Sequence, residues 1–242
     1  MYRVGVDVGG TYTDLVAIDD AGRVTLSKEP STPQDQSIGV MNGLGQVAKL
    51  LGLTLEELLQ QTERIVHGTT AATNALLERK GAKVGLLTTA GHRDVLEMRE
   101  GLKPERYNLR LARPHALVPR HLRLGVRERL RPDGSVERTL DQASLDDAIT
   151  VLKQAEVTAV AVCYLHSYRD GRHECITREA LAQALPEVHV CLSSEVLPQI
   201  KEYERVSTTV VNAYVSPILG RYLSQLEESL QTSGYVGTVL IM

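Results

Sequence analysis

Phenylalanine and tryptophan are absent from this sequence, and nine tyrosines supply its whole Phe/Trp/Tyr content. A core must therefore be filled by Leu, Val, Ile, Ala and Tyr. Cysteine is nearly as scarce. Cys163, Cys175 and Cys191 are too few and too widely spaced for a disulfide framework or a zinc pattern, and they read as reduced thiols of a cytoplasmic protein. No apolar run approaches the roughly 18 residues of a membrane helix, and the N-terminus M-Y-R-V-G-V-D has no basic leader followed by an apolar stretch. These absences argue against a membrane partner. No charge of one sign dominates, since 27 basic side chains face 30 acidic ones for a net charge of -3. That balance, without a basic arm, argues against nucleic acid as the main partner. No internal repeat and no low-complexity tract is visible.

What is present is a chain of 242 residues, 43% hydrophobic, long enough to bury a substantial core. Strands are expected over 2–8, 12–19 and 23–29, the last two joined by the D-D-A-G turn at 19–22. Pro30 and Pro33 interrupt the pattern. Helical spacing through Ile38, Met41, Leu44, Val47 and Leu51 follows, and then Thr54 with an acidic residue three places on, which reads as a helix cap. An alternation comes next: strand 64–67, helix 70–79, strand 83–88, a short helix near 93–98, and an Arg-, Pro- and Leu-rich excursion over 100–122. A helix starting in 139–147, strand 158–165, helix 171–185, strand 188–193 and a long helix over 203–231 complete it. Hairpins followed by alternating strands and helices predict a mixed sheet flanked by helices. The alternation from about residue 140 is either a separate lobe or more of the same sheet. The closing T-V-L-I-M reads as the middle of a buried strand, from which a truncated chain is expected.

The string D-V-G-G-T-Y-T-D, Asp7 to Asp14, lies between the first two strands. Gly9 and Gly10 let backbone N–H groups approach a phosphate closely, and Thr11 and Thr13 add hydroxyl donors. Asp7 and Asp14 are placed to hold Mg²⁺ through its water shell. The string is neither a G-K-[ST] loop nor a G-x-G-x-x-G turn opening a helix. His67-Gly68-Thr69-Thr70 ends a later strand and opens a helix. Thr69, Thr70 and Asn74 are candidates to line the cleft and His67 to polarise a carbonyl; helix capping by Thr69 or Thr70 is the plainer alternative.

V-G-V-D-V-G-G-T-Y-T-D-L-V resembles the N-terminus of the hydantoinase A/5-oxoprolinase family, which includes acetone and acetophenone carboxylase subunits and usually has Phe where this chain has Tyr12. I-V-H-G-T-T-A-A-T-N-A-L-L-E-R-K-G-A (65–82), L-L-T-T-A-G-H-R-D-V-L-E (86–97) and L-S-S-E-V-L-P-Q-I-K-E-Y-E-R-V-S-T-T-V-V-N-A-Y (192–214) agree with the same family in the same order. The resemblance implies a truncated α/β fold of the actin-like, ribonuclease H-like ATPase type. It implies ATP and Mg²⁺ as cofactors, with Gly9, Gly10, Thr11, Thr13, Asp14, Thr69, Thr70 and Asn74 as the cofactor-binding residues. Asp7 would be the metal ligand, and Asp7 and His67 the catalytic groups. It further implies phosphorylation of a cyclic amide carbonyl before ring-opening hydrolysis, with a hydantoinase B-type subunit or domain completing the reaction in an oligomer. A ketone carboxylase subunit, a small-molecule kinase and a non-catalytic assembly module are the alternatives. The expected division is an N-terminal domain over 1–200 and the start of a following domain over 201–242.

Other groups have plainer readings. Arg93 and Asp94 are expected to pair at a helix start rather than bind phosphate. Ser193, Ser194, Glu195, Tyr203, Glu204 and Arg205 are expected to serve capping and salt bridges, and their roles stay open. His166 and His173 with Cys163 and Cys175 do not space as a metal site.

Overall fold

The computed structural model describes residues 1–32, 34–101, 105–112 and 115–242. The interruption expected at Pro33 and parts of the 100–122 excursion lie outside the described residues. The chain forms two compact units: one from Met1–Lys80 with Ile218–Met242, the other from Gly81–Pro217. This division differs from a boundary at residue 200, because the last strand returns to the first sheet.

The first unit opens with an antiparallel meander, β1 (Tyr2–Val8), β2 (Tyr12–Asp19) and β3 (Val24–Pro30). Strict alternation puts Val4, Val6 and Val8 on one face of β1 with Leu15 and Ala17 of β2, all buried. Helix α1 (Gln36–Leu50) covers that face with Val40, Leu44 and Val47. Its Asp35 cap accepts a hydrogen bond from the Ser37 amide at 3.0 Å. Gly43 lets α1 close on the sheet, since a Cβ there would stand 2.1 Å from Leu15 Cδ1. Helix α2 (Leu55–Gln60) starts with the capping box formed by Thr54 and Glu57. Strand β4 (Thr62–Thr69) then runs parallel to β1 and leads into α3 (Ala71–Leu77).

The second unit is built on a separate, wholly parallel sheet. It contains β5 (Val84–Thr89), followed by α4 (Val95–Met98), β6 (Arg123–Val126) and the small hairpin β7 (Arg129–Leu130) and β8 (Val136–Arg138). Helix α5 (Gln142–Gln154), β9 (Ala159–Cys163), α6 (Arg172–Ala184), β10 (His189–Leu192) and α7 (Ser193–Val196) follow. The strand order is β10-β9-β5-β6. Every residue of β5 and β9 is buried, as expected of strands covered on both faces. The alternation beginning near residue 140 thus belongs to a second sheet, one that already starts at β5. Strand β6 and the β7–β8 hairpin were not anticipated, because they are too short to show a period.

Helix α8 (Glu202–Thr232) carries Pro217 within it, and from Ile218 onward it belongs to the first unit. Tyr222, Leu226 and Leu230 join the core of that unit. Strand β11 (Thr238–Ile241) pairs in parallel with β4, completing the order β11-β4-β1-β2-β3. Three antiparallel strands, then two parallel ones added beyond the first, are the ribonuclease H-like order. Among the described residues, no helix is long and apolar enough to cross a membrane.

Candidate functional site

Pairing registers place four residues in one row across the first sheet: Gly68, Asp7, Asp14 and Lys28. The row lies on the face opposite α1, and the side chains of Asp7, Asp14 and Lys28 are exposed. Directly opposed carboxylates repel each other. Lys28 Nζ relieves part of this by donating to both oxygens of Asp14, at 2.9 and 3.2 Å, while standing 4.8 Å from the Tyr12 ring centroid. Asp7 has no ion pair among the described residues. Two carboxylates against one ammonium leave this row one negative charge. Gly68 supplies no side chain to crowd it; a Cβ there would come 3.6 Å from Asp7 Oδ1.

The turn after β1 holds its shape through the Gly9 amide, which donates to the Tyr12 carbonyl at 3.0 Å. Among the described residues the amides of Gly10 and Thr11 have no partner, and both residues are exposed. Neither Gly9 nor Gly10 adopts positive φ. A Cβ on Gly10 would meet only Asn74 Nδ2, at 3.5 Å, which is an ordinary contact. The fold therefore does not itself require glycine at position 10.

Around this turn the candidate residues divide by what their polar atoms already bond. Thr13 is fully buried, and its hydroxyl lies 3.1 Å from Ser31 Oγ, which in turn donates to the Gly9 carbonyl at 2.8 Å. It supports the loop from beneath and cannot reach a phosphate. Thr69 Oγ1 accepts from the Ala71 amide at 3.1 Å, while Thr70, the residue at the helix cap, makes no side-chain capping bond. Thr70 Oγ1 donates to the Val8 carbonyl and accepts from Asn74 Nδ2, at 3.2 and 3.1 Å. Thr70 and Asn74 thereby tie α3 to the end of β1, beside the loop. Gly10 and Asn74 border a cleft of ≈ 320 Å³ that also presents Lys80, Arg221, Tyr222 and Gln225.

His67 stands apart from Asp7. It alternates to the buried face, has no exposed surface, and receives a hydrogen bond from Tyr222 Oη at Nε2, 2.5 Å away. A role in polarising a substrate carbonyl is not compatible with that enclosure. Burial drives the imidazole pKa below its ordinary value, more than the Val6 carbonyl and Asp7 raise it. Burial likewise pushes the Tyr222 phenol up. A neutral ring accepting at Nε2 carries its proton on Nδ1, which finds no partner at full hydrogen-bond geometry.

In the second unit the pairing of Arg93 with Asp94 does not form. Asp94 is instead held by Arg120 through two bonds of 2.9 and 3.0 Å. Glu195 pairs with Arg178, and Glu204 with Lys201. Ser193 is buried and donates to Glu174 at 2.6 Å, and the Ser194 amide donates to the other Glu174 oxygen at 2.8 Å. Arg205 is buried on the carbonyls of Tyr164 and Gln199. His173 is bonded to Glu128 at 2.8 Å. Lys28, Ser31 and Tyr222 were not singled out from the sequence. The alternation of β3 could have indicated Lys28, since it shares a face with Asp14, whereas no local signal marks Tyr222, 155 residues from its partner.

Residues 3–185 match the model of the hydantoinase/oxoprolinase N-terminal region. The chain is 45% identical to the caprolactamase subunit alpha of Pseudomonas jessenii over 96% of its own length and 34% of that protein's. It is 36% identical to the acetophenone carboxylase gamma subunit of Aromatoleum aromaticum, over 99% of this chain and 34% of the relative. The crystal structure of the ATP-dependent caprolactamase from Pseudomonas jessenii superposes with a TM-score of 0.90 at 44% identity, covering 99% of this chain and 35% of that one. The chain thus spans about a third of the length of these relatives, and its mixed, helix-flanked sheets are those of the actin-like ATPase fold. It belongs to the hydantoinase/oxoprolinase family, as part of that family's N-terminal region.

Proposed function

We propose that this chain is the phosphate-binding part of an ATP-dependent enzyme that phosphorylates the carbonyl oxygen of a cyclic amide before ring-opening hydrolysis. The reading rests on one observation: in the row Gly68–Asp7–Asp14–Lys28, with its uncompensated negative charge, Asp7 and Asp14 each stand three residues along the chain from an exposed turn amide, Gly10 and Thr11, that has no backbone partner among the described residues. A magnesium–phosphate pair needs both halves of that arrangement. Asp7 is the free carboxylate that fits Mg²⁺, which retains most of its water and accepts one or two protein carboxylates. The two amides offer hydrogen bonds to phosphate oxygens and fix the phosphate chain against the turn. Bound ATP would supply the phosphoryl group, which turns a poorly leaving amide oxygen into a good leaving group. Catalysis by this chain's residues is then positioning and charge neutralisation. Thr13, Ser31, Thr70 and Asn74 hold the loop in place through hydrogen bonds within the chain.

The name of the Pseudomonas relative, an ATP-dependent caprolactamase, favours a lactam. The acetophenone carboxylase subunit favours a second reading, phosphorylation of a ketone before carboxylation. Both relatives are named as subunits, which supports a partner subunit in an oligomer; we propose that this partner is of the hydantoinase B type. The test is ATP turnover by the full-length protein with its partner. ADP release stimulated by a lactam, with ring-opened product formed in step, is the expected result. Stimulation by a ketone with bicarbonate selects the carboxylase reading. Phosphate transfer to a stable alcohol product would overturn both.

A further inference from the structure

The parallel sheet of the second unit has its own crevice, and its lining does not belong to the phosphate loop. After β5 the chain moves to one side of the sheet, to β6, and after β9 it moves to the other side, to β10. Strands β5 and β9 are neighbours, so their following loops part company between them. Open parallel sheets bind ligands just there, outside the carboxyl ends of the strands. His92 follows β5, Arg129 follows β6, His166 follows β9, and Lys201 and Glu202 follow β10. All five line one cavity of ≈ 540 Å³.

Two features of the cavity's lining bear on what it could hold. Of the five non-glycine residues with positive φ among the described residues, Arg99, His166 and Lys201 line it. Such backbone is uncommon and gathers at functional sites. The charges are also left incomplete. Arg129 is half-buried, and its one side-chain hydrogen bond among the described residues runs from Nη1 to His92 Nε2 at 3.2 Å. Among the described residues it has no carboxylate partner. Glu202, also half-buried, has no cationic partner among them, while the nearby Lys201 is already paired with Glu204 at 3.3 Å. His166 Nδ1 is buried without a hydrogen bond. Because Arg129 can only donate, His92 must accept at Nε2 and carry its proton on Nδ1. Burial, and then Arg129, lower the pKa of both His92 and His166, so both rings are neutral near pH 7.

We infer that this crevice binds a small organic carboxylate that also carries an N–H group, with the carboxylate on Arg129 and the N–H on Glu202. A guanidinium suits a planar carboxylate, and an unpaired half-buried carboxylate suits an N–H donor. The neutral imidazoles of His92 and His166 complete the lining. The inference stands independently of the phosphate-loop reading, since every residue it uses lies in the second unit.

The probe is N-acetylglycine, which has both groups. N-acetylsarcosine lacks the N–H and N-methylacetamide lacks the carboxylate. Binding to the 242-residue chain is followed through the imidazole resonances of His92 and His166, assigned with His92→Asn and His166→Asn; Asn tolerates the left-handed backbone at position 166. N-acetylglycine should bind in the millimolar range, and each analogue at least about fivefold more weakly, a loss of about 1 kcal/mol. Arg129→Gln should abolish the effect of the carboxylate. Glu202→Gln, on the first turn of α8, should abolish the preference for N-acetylglycine over N-acetylsarcosine, and it keeps the test open if Arg129→Gln does not fold. Gly10→Val should leave all of this unchanged, even where nucleotide binding is lost. The inference is overturned if N-acetylglycine produces no shift, if inorganic phosphate binds and it does not, or if neither Arg129→Gln nor Glu202→Gln alters binding.

Discussion

Tyr222 Oη donates to His67 Nε2 at 2.5 Å, joining α8 to β4 across 155 residues of sequence. Both side chains sit in the core of the first unit, and Tyr222 also forms part of the cleft wall that begins at Gly10. The pair therefore links the scaffold of the phosphate loop to the helix that completes the unit after the 81–217 segment. Tyr222→Phe keeps the ring and removes the donor, leaving a buried nitrogen unpaired. A loss of about 1–3 kcal/mol in unfolding free energy is expected. Adding His67→Leu to Tyr222→Phe should recover part of that loss, because both partners then become apolar. Urea denaturation of the parent, both single variants and the double variant measures the coupling. Additive effects would show that the bond contributes nothing.

The same histidine gives the chain an acid limb. Its folded pKa lies below the ordinary 6.5, so the folded state resists a proton that the unfolded state accepts. The stabilisation is fully present above about pH 6.5 and declines as pH falls from there through the folded pKa. His92 and His166 shift in the same direction and share the limb. Stability measured from pH 8 to pH 5 should fall in this window, and the fall should be shallower in His67→Leu/Tyr222→Phe. An unchanged slope would remove His67 from the account.

Asp7 is exposed and its side chain has no hydrogen bond or ion pair among the described residues, so its removal has little to disrupt. Asp7→Ala should change unfolding free energy by no more than about 0.5 kcal/mol. In the full-length protein with its partner, ATP turnover should nonetheless be abolished, since no second free carboxylate shares the row; Lys28 already engages both oxygens of Asp14. Turnover within a few-fold of the parent would remove Asp7 from the metal site. Releasing Asp14 by Lys28→Met supplies the complementary measurement. It adds a second free carboxylate, so the Mg²⁺ concentration needed for half-maximal turnover should fall.

Much of this architecture was legible in the residues. The alternation in 2–8 and 12–19 defines which side chains face the core, and pairing Asp7 opposite Asp14 follows from the tightness of the Gly9-Gly10 turn. The same alternation places His67 and Thr13 on the buried face, beside Val6 and Val8 respectively. The return of β11 to the first sheet could not be read, because parallel pairing depends on contacts about 170 residues apart and leaves no local mark. Nor could the unpaired state of Arg129 and Glu202, which depends on which side chains fail to meet.

Gly10 offers the sharpest separation of fold from function. Its φ is not positive and its nearest neighbour would touch a new Cβ only at ordinary distance, so Gly10→Val should fold normally. The branched side chain would stand beside the free amides of Gly10 and Thr11, where a phosphate must approach. Nucleotide affinity of the full-length protein should fall at least about tenfold, or about 1.4 kcal/mol, by calorimetry. Unchanged affinity would make the loop a turn and nothing more.

The final prediction concerns the 242-residue chain by itself. The proposed phosphate site offers two amides without a partner among the described residues and one carboxylate, Asp7, proposed to reach Mg²⁺ through water. Each such hydrogen bond replaces one to solvent, and its net contribution is about 1 kcal/mol, rather more when the acceptor is charged. Against this stand the lost translational and rotational freedom of the nucleotide and the partial dehydration of a polyanion. The balance leaves room for millimolar affinity, about −4 kcal/mol, and not for more. Titration of the purified chain with Mg-ATP should therefore show weak binding that competes with inorganic phosphate and disappears in Gly10→Val. Micromolar affinity would mean that residues beyond the loop, such as Lys80 and Arg221 in the adjoining cleft, contact the nucleotide directly, and Lys80→Ala with Arg221→Ala would then locate the missing contacts.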